Sequence, residues 1–128
     1  MKNVDRLFIL TGLIFLLTGM ALGLKMNMAQ DFTLRGLHAH LNLLGFVVMT
    51  LFGLCYHTWP KMKEGMLPVV HYVLHTVTVA PSLAILYFVL SDPATYGPTL
   101  GPIIGYILMA TWASVVLFAY LFITRAKD

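Results

Sequence analysis

Charge is what this chain has least of. Only 10% of its 128 residues are Asp, Glu, Lys or Arg, whereas a soluble domain carries about a quarter. That shortage excludes a water-exposed surface over most of the molecule. Cysteine is nearly absent too. The single Cys55 rules out an internal disulfide, and its place inside an apolar run reads as a small packing residue without redox meaning. There is no polar linker, no low-complexity segment and no basic patch interleaved with aromatics, so nothing points to a soluble second domain or to nucleic acid. What remains is hydrocarbon: 59% of residues are hydrophobic, with a mean hydropathy of +0.85.

Four charge-free runs, approximately 7–24, 36–60, 65–91 and 93–124, each supply the ~20 apolar residues that cross ~30 Å of hydrocarbon. Backbone groups in lipid must be satisfied within the segment, so runs of this length predict helices rather than barrel strands. The fold expected is all-α: one transmembrane domain over 1–128, an integral membrane four-helix up-down bundle with helices at about 7–24, 37–59, 68–90 and 101–124. The first run follows a charged start but lacks a convincing small-residue cleavage site, and is read as a retained span. Lys2, Arg6, Lys61, Lys63, Arg125 and Lys127 fall on one side against Lys25 and Arg35 on the other, which predicts both termini in the cytoplasm.

Prolines punctuate the connections. Pro60 and Pro68 bracket the middle turn, Pro93 and Pro98 mark SDPATYGPTLG as a loop, Pro102 suits a first helical turn, and Pro81 is expected to kink the third helix. Tyr56, Trp59 and Tyr96 are placed as interfacial anchors. Gly12, Gly19 and Gly23 share one face of the first span, a surface for close helix approach. Gly101 and Gly105 repeat that spacing in the fourth, where packing and chance are both open. The eight methionines are scattered, without a copper-gathering spacing.

All five histidines lie in the second and third spans, where an ionisable group in lipid is a functional candidate. His38 and His40 are two residues apart and hence ~200° apart around a helix, so they face opposite ways and cannot share one metal. They suit two separate planar ligands, or one ligand held between neighbouring subunits. His71 and His75, four apart, share a face and can meet one ion. A hydrogen-bonded helix contact explains them as well. His57 lies at a depth similar to His71, although its surroundings favour a structural role. On helical rise His40 sits about 5 Å from the outer edge and His75 about 22 Å, dividing the histidines into an outer pair and an inner cluster.

The stretch HAHLNLLGFVVMTLFGLCYHTWP resembles the tenth helix of heme-copper oxidase catalytic subunits, most closely the cbb3-type oxidase and nitric oxide reductase branch. His38, His40, Gly45, Gly53, Tyr56 and Pro60 match that pattern. His71-Tyr72 is similar to the His-aromatic opening of the next family helix, and Arg35-Gly-Leu-His38 resembles the Arg-x-x-His of the family's second helix. The likeness covers the second and third spans. It implies that His38 and His40 ligate heme b iron. The family subunit has twelve helices in three four-helix arcs, and this chain supplies one arc. The copper ligands and the histidine-tyrosine cross-link of the family lie on helices with no counterpart here.

Three copies about an axis normal to the membrane would set His38 of one subunit against His40 of the next with an offset of only about 3 Å. A homotrimer with heme between subunits is therefore the favoured assembly. Arg35, on the His38 face and one turn nearer water, is expected to pair with a propionate, with Lys25 assisting. Asn42 is expected either to bond an imidazole or to cap a helix contact. The function expected is electron transfer, with a quinone or an electron-transfer protein as partner, or binding of oxygen or nitric oxide. The resemblance and the charge count together place the heme end at the periplasmic face of a bacterial inner membrane. Two rivals stand beside it: a copper- or zinc-handling membrane protein using His57, His71 and His75, and a heme-free accessory subunit of a larger oxidase.

Overall fold

A computed structural model describes residues 3–127. Among the described residues the regular structure is helical throughout. α1 spans Val4–Ala29. The second rod is built from α2 (Arg35–His40), a π-helical segment (Leu41–Val47) and α3 (Val48–Thr58). A 3-10 turn over Pro60–Lys63 leads to α4 (Leu67–Ser91) and then to α5 (Pro93–Arg125). Four rods, Val4–Ala29, Arg35–Thr58, Leu67–Ser91 and Pro93–Arg125, are each long and apolar enough to cross a membrane. This is the architecture of a multi-pass membrane protein.

Local chemistry sets the turns. α1 ends at Gln30, whose left-handed φ of 50° lets its N–H reach back to the Asn27 and Met26 carbonyls. Asp31 then accepts hydrogen bonds from the Thr33 amide (3.0 Å) and hydroxyl (2.6 Å), closing the short connection to α2. The fourth helix departs from expectation. It starts at Pro93 rather than near residue 101, because Asp92 caps it by accepting from the Thr95 amide at 3.2 Å and Pro93 occupies the first turn, where no N–H is needed. Pro98 and Pro102 are inside α5 and Pro81 is inside α4.

The glycine face of α1 is a contact within the chain. Gly12 abuts Thr50 and Met49, Gly19 abuts Asn42 and Gly23 abuts His38, all on the second rod. Gly101 and Gly105 have nothing within 4 Å of where a Cβ would be, so their spacing serves no packing inside this chain. Two buried clusters fill the bundle. Leu37, Leu41, Val79 and Leu83 form one toward the connection between α1 and α2. Val4, Phe8, Met49, Phe52, Tyr56, Met62 and Leu121 form the other toward the termini. Tyr56 is thus a fully buried core residue and not an interfacial anchor, since it shares the inward face of α3 with Met49 and Phe52. Trp59 is half-buried against Phe122, and Tyr96 is exposed beside Phe88.

Candidate functional site

The outer histidines diverge as their spacing requires. His38 turns toward α1, where its Nδ1 lies 2.8 Å from the Gly19 carbonyl oxygen and its ring edge rests on Gly23. His40 turns outward and is exposed, with Nδ1 2.7 Å from the Gly36 carbonyl oxygen one turn earlier. A carbonyl only accepts, so in both rings Nδ1 carries the proton and Nε2 keeps a lone pair. That is the arrangement found in metal-ligating histidines, where the second nitrogen is fixed by a backbone acceptor. Asn42 donates to the His38 carbonyl at 2.9 Å, and its amide also stands 3.3 Å from His38 Nε2. Asn42 thus stands beside the imidazole on its own rod and packs on Gly19 of α1.

Openness separates the two rings. His40 borders a groove of about 350 Å³ between the second rod and α5, lined otherwise by Ala39, Leu43, Leu44, Val48 and Leu108. An apolar groove with one imidazole combines a hydrophobic surface with one nitrogen able to ligate a metal. His38 is half-buried and would have to leave Gly23 and Asn42 to reach an iron. Arg35 is exposed at the start of α2. Lys25 lies with Asp31, Thr33, Tyr87 and Ser91 around a separate cleft of about 290 Å³, away from the His40 groove.

The inner three histidines do not form one site. His57 points away from His71, with its side chain 76% exposed and Nδ1 3.1 Å from the Asp5 carboxylate, which Lys63 also pairs at 3.1 Å. Similar depth therefore does not bring them together: His57 is exposed beside Asp5, and His71 is fully buried. His71 and His75 are both fully buried, with ring centres 6.1 Å apart. Their Nδ1 atoms meet the Tyr56 hydroxyl at 2.9 Å and the Ser114 hydroxyl at 2.7 Å. Among the described residues no group of three or more His, Cys, Asp or Glu could hold a metal ion.

Sequence reasoning missed Tyr56 and Ser114 as imidazole partners, and Asp5 altogether. Asp5 alone carried a signal: a carboxylate one turn into an apolar helix needs a partner. Ser114 carried none, since serine is common in membrane helices. Compared with known protein families, curated proteins and solved structures, the chain matches none.

Proposed function

We propose that this chain is a heme b-binding membrane protein, resembling one arc of a heme-copper oxidase catalytic subunit, that works in electron transfer or in binding oxygen or nitric oxide. One observation carries the reading. His40 is held at Nδ1 by the Gly36 carbonyl and lines an apolar groove between the second rod and α5. Neutral imidazole is a good iron ligand, and a lone histidine at that position otherwise has only lipid to meet.

Bound heme supplies one-electron redox chemistry or a gas-binding iron position. The chain's residues supply the rest: the Gly36 carbonyl fixes the ring, and Leu43, Leu44, Val48 and Leu108 exclude water. The groove is lined on one side only, so a second copy of the chain would complete a heme site there and the homo-oligomer would be part of the function. The basic residues favour the heme end at the periplasmic side of a bacterial inner membrane, within reach of a quinone or an outer electron-transfer protein.

The test is spectroscopic. Protein expressed with heme precursor and purified in mild detergent is expected to show a Soret band and a sharpened α-band on dithionite reduction. His40→Ala is expected to abolish both, while His38→Ala keeps the pigment and loses stability. Carbon monoxide shifts the reduced spectrum if one axial position is open, and leaves it unchanged if a second copy fills it. A colourless wild-type protein, or a pigment indifferent to His40→Ala, overturns the proposal.

A further inference from the structure

The cleft beside the connection from α1 to α2 takes no part in the His40 groove. It lies where the end of α1, that connection and the end of α4 meet, at the level where two membrane-crossing rods pass from hydrocarbon to water. Its volume is about 290 Å³, at the lower edge of the roughly 300–1,000 Å³ of small-molecule sites. That is room for a headgroup-sized ligand. The lining carries both signs of charge, an ammonium from Lys25 and a carboxylate from Asp31. The two attract one another, yet no direct ion pair joins them among the described residues.

Each polar group there has capacity left. Asp31 uses only Oδ1 in its own turn, accepting from the Thr33 amide at 3.0 Å and the Thr33 hydroxyl at 2.6 Å, so Oδ2 remains to accept from a ligand. Those bonds, with Lys25 adding to them, hold its carboxyl below the usual range and keep it ionised. The Ser91 hydroxyl donates its one hydrogen to the Tyr87 carbonyl at 2.7 Å, so toward the cleft its oxygen can only accept. The Tyr87 phenol lines the same space and can donate. Leu22, Met26 and Leu34 add an apolar surface beside the charges.

We propose that this cleft binds the headgroup of a phosphatidylethanolamine molecule from the bilayer, with its phosphate on Lys25 and Tyr87 and its ammonium on Asp31 and Ser91. A zwitterion is the complement of a separated cation and anion. A phosphoglycerol headgroup would satisfy Lys25 but set its negative charge against Asp31 with no cation between. A choline headgroup has the right charges and no N–H, so it cannot donate to Asp31 Oδ2 or to Ser91. Leu24 and Phe88, next in sequence to Lys25 and Tyr87, are exposed and apolar, so the acyl chains stay in lipid. Neither heme nor the oligomer enters this argument.

Native mass spectrometry of the full chain, released from mild detergent and titrated with lipids of identical acyl chains, tests it. One phosphatidylethanolamine per chain is expected, held about tenfold more tightly than phosphatidylcholine or phosphatidylglycerol and losing affinity stepwise as its nitrogen is methylated. Lys25→Met weakens that binding by about tenfold. Asp31→Asn, which keeps an acceptor for Thr33, brings the ethanolamine lipid down to the level of the choline lipid. Lys127→Met, at the other end of the bundle, changes nothing. Water-soluble glycerophosphoethanolamine binds far more weakly than the lipid. Equal retention of the three lipids by folded wild-type protein, a preference that survives Asp31→Asn, or a soluble headgroup bound as tightly as the lipid overturns the proposal.

Discussion

At the scale of single residues, the five imidazoles share one rule: each has Nδ1 within hydrogen-bond distance of an oxygen of the protein. The opposition of His38 and His40 was readable from their spacing alone. The partners were not, because they come from α1 and α5 and depend on how close those helices approach. Gly23 shows how close. A Cβ there would stand 2.7 Å from His38 Cε1, so Gly23→Ala must push the ring off the Gly19 carbonyl. A destabilisation of about 1–3 kcal/mol is expected. Gly101→Ala, in open space, should match or exceed wild type, since alanine is the better helix former. Chemical denaturation of both variants in mixed micelles checks this, and equal midpoints would refute the contact. Tyr56→Phe makes a second residue-level prediction. It leaves His71 Nδ1 unpartnered in the core, at a cost of about 1–3 kcal/mol by the same measurement.

At the scale of elements, hydropathy was enough to find four helices, since lipid leaves the backbone no other way to satisfy itself. Their starts and irregularities were harder to read. A proline in the first turn and a proline that ends a helix look alike in sequence. Asp92 decides between them at Pro93. Its carboxyl is held below the usual carboxylate range, first by the Thr95 side chain and then by the Thr95 amide. The sign follows: with the folded-state value depressed, the cap stabilises α5 above the unfolded carboxyl value and loses that contribution as pH falls through the folded one. Asp92→Ala should therefore lower Tm at neutral pH, and the gap to wild type should close in acid. A gap that persists unchanged below the carboxylate range would show that the cap is not the cause.

The π segment at Leu41–Val47 had no sequence signal, because it is imposed by fit against α1. It acts as one extra residue in a helix. Deleting exposed Leu43 should restore a plain α-helix and turn α2 by ~100° relative to α3. His40 would then leave its groove and His38 would leave Gly19. Loss of the pigment together with lowered stability is expected, whereas Leu43→Met, which keeps the groove lining apolar, should keep both.

At the scale of the whole molecule, both described ends and the 59–66 connection gather at one end of the bundle. Asp5 pairs with Lys63 and His57 there, and Arg125 donates to the Glu64 carbonyl at 2.5 Å. Only 17–33% of each span's most apolar window is buried inside the chain, so lipid or further copies must solvate the rest. α5, at 33 residues and hence ~50 Å, is longer than ~30 Å of hydrocarbon and must tilt or project. Arg6, Lys61, Lys63, Arg125 and Lys127 crowd the terminal end, with Lys25 and Arg35 opposite, and the positive-inside rule predicts from this that the His40 end faces outward. With Cys55 replaced by serine, Thr33→Cys should react with a membrane-impermeant maleimide in intact cells, and Lys127→Cys only after permeabilisation. The reverse pattern would put the terminal end outside. His40 would then face the cytoplasm, and an outer electron acceptor could no longer be its partner.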